Sequence, residues 1–197
     1  MKDYSEKELE RLIRLSDPDE LWDIYDAEGH KTGRVQRRGD PFREGDKHLC
    51  VHIWIRNSRG EYLLTKRAPE KSMAGLWEST GGSALLGEDS LTAALREVRE
   101  ETGLRLDPDA GRLLFQFSGD HYLCDTWLFE REIDLNEIVL RPGETCGKRL
   151  ADADTIHALN KAGAFFAFED LERVLAWEDK RKIRVESGVK VSLRDLF

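Results

Sequence analysis

The sequence predicts an α/β fold in which a mixed central sheet lies between helical layers. Three observations carry this reading. Val51, Ile53 and Ile55 alternate with His52, Trp54 and Arg56, the period-2 pattern of a half-buried strand. A segment of helical period at 90–102 is flanked on both sides by strand-like segments. Two further helix-like segments, 153–160 and 168–175, come late in the chain.

At the start, Ser5 with Glu8 forms a capping box, and Leu9, Leu12 and Ile13 follow at helical spacing. This predicts a helical extension over 1–18, broken at Ser16-Asp17-Pro18. Residues 22–25 read as a strand, Ala27-Glu28-Gly29 as a turn, and 32–38 as a second strand. The strand over 51–56 runs into a hairpin turn at Asn57-Ser58-Arg59-Gly60, and Tyr62, Leu63 and Leu64 carry its partner. Residues 113–117 and 122–129 are two more strands, around Ser118-Gly119-Asp120. The main domain spans 19–176, and 177–197 is a tail with no assignable pattern.

At 197 residues the chain can bury one substantial core. With 40% apolar and 36% charged residues it has the composition of a soluble globular protein. The net charge of −8 opposes a non-specific grip on nucleic acid or on an anionic membrane. No apolar run reaches the length of a membrane span, and the start has no signal-peptide core. Cys50, Cys124 and Cys146 are odd in number, without C-x-x-C spacing, so no disulfide framework is expected. These features predict a cytoplasmic protein. A homodimer is compatible with them.

The chemistry is concentrated between Gly82 and Leu104. Gly82 is followed by Glu88, Arg96-Glu97-Val98, Glu100-Glu101 and Gly103-Leu104. On a helix over 90–102, Leu91, Ala94, Leu95, Val98 and Thr102 share one face, and Glu97, Glu100 and Glu101 share another. Three carboxylates at that spacing repel by a few tenths of a kcal/mol, roughly, per pair. A cation between them reverses the sign. Mg²⁺ and Mn²⁺ take carboxylate and phosphate oxygens, so this face suits either ion together with a phosphorylated substrate. Asp89 or Ser90 can cap the helix, and Gly103 suits its end. Gly81-Gly82 let the backbone approach an ion closely. A charged helix face alone reads as solvated surface; Glu88 and the glycines at fixed distances favour the metal site.

This segment fits the pattern G-x5-E-x7-R-E-U-x-E-E-x-G-U, with U aliphatic, and resembles the Nudix box. The chain is similar to Nudix hydrolases over about residues 20–175, which implies their α/β/α sandwich with a mixed central sheet. The resemblance implies that the Gly82 carbonyl, Glu97, Glu100 and Glu101 hold Mg²⁺ or Mn²⁺. It implies that Arg96 orients the glutamates, that Glu88 pairs with Arg96, and that Glu100 is a candidate base. Glu144, in Pro142-Gly143-Glu144, matches a loop position from which the family supplies another metal or base carboxylate. The implied activity is metal-dependent hydrolysis of the phosphoanhydride in a nucleoside-diphosphate-type or other organic diphosphate.

Trp54, Asn57, Gly60, Thr65, Arg67, Gly75 and Trp77 look like the branch containing isopentenyl-diphosphate isomerase and its hydrolase-like relatives. That likeness implies that Arg67 and Lys71, four apart, hold the substrate diphosphate. The isomerase itself is an alternative, yet its catalytic Cys position is Gly81 here and its following His is Ser83; His48 alone matches its histidines. A dinucleoside polyphosphate hydrolase is a further alternative, on Tyr122 eighteen residues after Leu104.

Overall fold

A computed structural model describes residues 20–176, in two compact units covering 20–166 and 167–176. The helix expected over 1–18 and the tail 177–197 lie outside the described residues.

In the first unit, β1 (Leu21–Tyr25) and β2 (Lys31–Arg37) form an antiparallel pair of their own. Asp26 closes the turn between them, its Oδ1 accepting from the Glu28 and His30 amides. The main sheet has seven strands: β3 (His48–Arg56), β4 (Tyr62–Arg67), β5 (Trp77–Glu78), β6 (Thr80–Ser83), β7 (Gly111–Ser118), β8 (Tyr122–Glu130) and β9 (Thr145–Ala151). It is mixed: β3 and β8 run parallel, from His48↔Tyr122 to Arg56↔Glu130, and every other pair is antiparallel.

The structure departs from the sequence-based expectation in four places. First, β3 is buried on both faces. Val51, Ile53 and Ile55 pack under helix α1 (Ser90–Thr102) against Ala93, Ala94 and Val98. On the opposite face His52 and Trp54 are equally buried, with the Trp54 ring edge-on to Tyr62 at 5.3 Å and stacked on Phe165 at 6.3 Å. The alternation therefore records polarity, not exposure. Each large apolar side chain buried this way contributes about 1.5–3 kcal/mol. Second, Tyr62, Leu63 and Leu64 are not mainly the partner of β3. The turn at Asn57 forms, but β3 and β4 pair only at Arg56↔Tyr62, and β4 runs along β9 instead. Third, β5, β6 and β9 were not anticipated. Fourth, the late helix starts at 171 rather than 168, in the second unit. Helix α2 (Ala153–Lys161) forms as expected, capped by Asp152, and buries Ile156. Among the described residues no helix is long and apolar enough to cross a membrane.

Candidate active site

Helix α1 begins and ends where its capping residues dictate. Asp89 Oδ1 accepts from the Thr92 amide at 2.7 Å, and Gly103 closes the helix at φ 73. The side buried against the sheet carries Ala94 and Val98, and with them Glu97 and Glu101, at 9% and 5% exposure. The acidic residues are thus pressed into the protein rather than solvated.

Arg96 organises them. Its Nε and Nη2 donate to the two oxygens of Glu88 at 2.8 and 3.0 Å, and Nη2 also reaches the Ser83 carbonyl at 2.9 Å. Its Nη1 donates to Glu97 Oε1 at 2.9 Å and to Glu100 Oε2 at 3.3 Å. Glu88 in turn accepts from the Leu85 amide at 2.9 Å. One guanidinium therefore fastens the loop after β6 to the helix and orients two helix glutamates. Burial works against its charge, yet Glu88, Glu97 and Glu100 together push its pKa above the usual range.

Its charge does not satisfy the cluster. Burial pushes Glu97 up to about 7, with the Arg96 charge pulling the other way. Glu100 is also raised by burial, opposed by Arg96 and Arg141. Glu101 is raised furthest, by burial first and then by the negative charges of Glu97 and Glu78. Its Oε2 is enclosed and finds no hydrogen-bond partner among the described residues. Gly82 lies directly against Glu97: a Cβ there would stand 2.2 Å from Oε1 and 2.3 Å from the carboxyl carbon. Among the described residues no three His, Cys, Asp or Glu side chains already converge as ligands; Arg96 Nη1 lies between Glu97 and Glu100 instead. The donors nonetheless fit a hard divalent cation. They are all oxygens, two of the carboxylates are buried, one oxygen has no partner, and a bare backbone position adjoins them.

Arg67 and Lys71 each engage a different carboxylate. Arg67 is buried, gives Nη1 to Glu78 Oε2 and Nε to the Ser72 carbonyl, and lies 4.7 Å over the Phe166 ring. Lys71 pairs with Glu144. The turn holding Glu144 also brings Arg141 to Glu100 Oε2, at 3.4 Å from Nη1, and Arg141 Nη2 is left without a partner among the described residues. Sequence reading missed Glu78 and Arg141. The signal available was adjacency alone, Glu78 four residues before Gly82 and Arg141 three before Glu144.

The positions matching the isomerase residues are structural here. His48 stacks on Trp22 at 4.3 Å and on Phe42 at 5.4 Å, its Nδ1 hydrogen-bonds the His121 carbonyl, and its Nε2 lies 3.1 Å from Cys50 Sγ. Burial drives the Cys50 thiol up to about 11, so it is no thiolate. A side chain at Gly81 would meet the Val51 carbonyl at 2.9 Å, so backbone would have to move to admit one.

Comparison with known proteins agrees with this architecture. The chain matches the NUDIX domain family over residues 46–185. An uncharacterised Nudix hydrolase of Listeria monocytogenes is 32% identical over 151 residues, covering 76% of this chain and 89% of that one. Isopentenyl-diphosphate Delta-isomerase of Escherichia coli is 31% identical over 87 residues, 43% of this chain and 48% of the enzyme. The crystal structure of DR0079 from Deinococcus radiodurans superposes with a TM-score of 0.65 at 23% identity, over 80% of this chain and 98% of its own, and shows the shared fold. With the family match spanning all of the main sheet and all of α1, the chain belongs to the Nudix hydrolases, a family that acts on pyrophosphate-containing substrates and generally uses divalent metal ions.

Proposed function

We propose that this chain hydrolyses the phosphoanhydride of a nucleoside-diphosphate-type or other organic diphosphate, with Mg²⁺ or Mn²⁺ as the activating ion. The observation that carries the reading is the buried pair Glu97 and Glu101, with an unpartnered oxygen on Glu101 and the bare backbone of Gly82 alongside. The Gly82 carbonyl, Glu97, Glu100 and Glu101 would hold the ion. Such an ion neutralises diphosphate charge and lowers the pKa of water.

The protein's own residues supply the remaining steps. Arg96 holds Glu97 and Glu100 in place and is itself fixed by Glu88. Glu100, less buried than its neighbours, is the candidate to accept the proton of the attacking water. Glu144 is a second candidate, once released from Lys71. Lys71, on leaving Glu144, offers its ammonium to the diphosphate, and Arg67 stands four residues before it, at the end of β4. The net charge of −8 opposes nucleic acid or an anionic membrane, and a small anionic substrate is compatible with it where the ion and Lys71 supply a local positive field.

The partial likeness to an isomerase does not extend to the residue that chemistry needs at position 81. Position 81 is a glycine with no room for a side chain, so the protonating thiol of that chemistry has no place. Purified protein should be offered nucleoside diphosphate-linked compounds, dinucleoside polyphosphates and isopentenyl diphosphate in Mg²⁺ or Mn²⁺. Released phosphate, nucleotide and allylic product are then scored. Hydrolysis of at least one diphosphate supports the proposal; isomerised product without hydrolysis overturns it.

A further inference from the structure

Glu78 stands outside the box, on the short strand β5. The register Thr65↔Glu78 puts its side chain on the same face as Leu63, the face that α1 covers. It is 7% exposed. Its Oε2 takes the Arg67 guanidinium, and its Oε1 is enclosed with no hydrogen-bond partner among the described residues. Glu101, on the helix above, has the same defect at Oε2. Both carboxylates are thus buried between the sheet and α1, each with one enclosed oxygen left over.

A single buried carboxylate oxygen without a partner is costly, and two on neighbouring like charges are more so. The cations nearby do not resolve this. Arg67 serves only Oε2 of Glu78, and Lys71 is engaged by Glu144. Burial raises Glu78 itself, against the pull of Arg67. An oxygen-seeking cation between Glu78 and Glu101 supplies what both orphan oxygens lack.

We propose that Glu78 is a further carboxylate of the cation site: it offers Oε1 to the ion that Glu101 holds, directly or across one water, and ties that ion through Oε2 to Arg67. This rests on the reading of Gly82, Glu97 and Glu101 as a divalent-cation site. It gives the ion and Arg67 one shared carboxylate, in a position where Arg67 is already held by Glu78, the Ser72 carbonyl and the Phe166 ring. The competing role is that Glu78 only neutralises Arg67, in which case it contributes nothing to metal affinity.

The test is Mn²⁺ binding without substrate, followed by the electron paramagnetic resonance signal of the free ion. Wild type, E101Q, E78Q and the double variant R67M/E78Q are compared. The double variant removes both members of the buried pair, so no uncompensated charge is left if E78Q fails to fold. We expect E101Q to bind most weakly, and both Glu78 variants to bind about tenfold to a hundredfold more weakly than wild type. Wild-type affinity in E78Q or in the double variant, with E101Q impaired, overturns the role of Glu78 and leaves the cation site standing. Absence of Mn²⁺ binding by wild type overturns the cation site and this inference with it.

Discussion

Replacing Gly82 by Ala separates the chemistry from the stability of the fold. The added Cβ would lie 2.3 Å from the Glu97 carboxyl carbon and 2.2 and 2.7 Å from its two oxygens. Ordinary carbon contacts begin near 3.5 Å, so the carboxylate must retreat by about 1 Å or more. It is the far end of a flexible side chain and can do so. Gly82 needs no positive φ, and Gly in a strand is worse than Ala by roughly 0.5–1 kcal/mol, so the backbone accepts the change. Folding stability should therefore move by less than about 1 kcal/mol, a few degrees in Tm for a chain of this size. Catalysis should not be spared. A 1 Å misplacement of a ligand costs on the order of 10²-fold, about 2.7 kcal/mol of transition-state stabilisation. Steady-state kcat/KM on the best diphosphate substrate, beside a thermal melt, measures both. Gly81→Ala is the contrast: its Cβ meets the Val51 carbonyl, backbone that cannot swing aside, so stability falls first. A G82A variant with undiminished kcat/KM would refute the placement of Gly82 and Glu97 at one reacting centre.

Glu97→Gln and Glu101→Gln should each lower kcat by orders of magnitude, while the Tm of the metal-free protein holds or rises, because a buried like-charge contact is removed; kinetics and calorimetry check this. The metal-free protein should lose stability as pH rises. Glu97 moves from 4.5 to about 7 on folding, so its favourable contribution is complete below pH 4.5 and is lost through about pH 7, on the order of 3 kcal/mol. Burial lowers His48 and gives the opposite slope at acid pH, so the quantity to measure is the difference between wild type and E97Q in urea titrations at pH 5 and 8; equal slopes contradict the assignment. Lys71→Ala should cut kcat/KM about tenfold with little change in Tm, whereas Arg67→Ala should also destabilise by about 3–5 kcal/mol, since it strands Glu78. No allylic product should form from isopentenyl diphosphate above a metal-stripped control, because Gly81 has no proton to donate.

The sequence exposed α1 fully because its signals are local: Asp89 at one end, Gly103 at the other, and apolar residues at helical spacing between them. The turns at Asn57 and at Ala27-Glu28-Gly29 were legible for the same reason, and the structure adds Asp26 as the residue that closes the second. Strands β5, β6 and β9 were not, because pairing defines them rather than period. β5 is two residues long, β6 contains Gly81-Gly82, and β9 carries Gly147 in a run without alternation. The site divides along the same line. Spacing along one helix put Glu97, Glu100 and Glu101 together, and the structure adds that Glu97 and Glu101 are buried. Arg67 and Lys71 share a helical spacing, but β4 ends between them, so each turns to a different carboxylate. Glu78 and Arg141 reach the site only through the sheet register and the turn before β9, which no local pattern announces.

The carboxylates of α1 are proposed to act through a divalent cation, and chelation tests this directly. Turnover of the best diphosphate substrate should be measured after EDTA treatment and again as Mg²⁺ or Mn²⁺ is restored in excess. Activity should be lost on chelation and recovered on either ion, with no recovery in E101Q at the same metal concentration. Turnover undiminished in excess EDTA contradicts the proposed cation role.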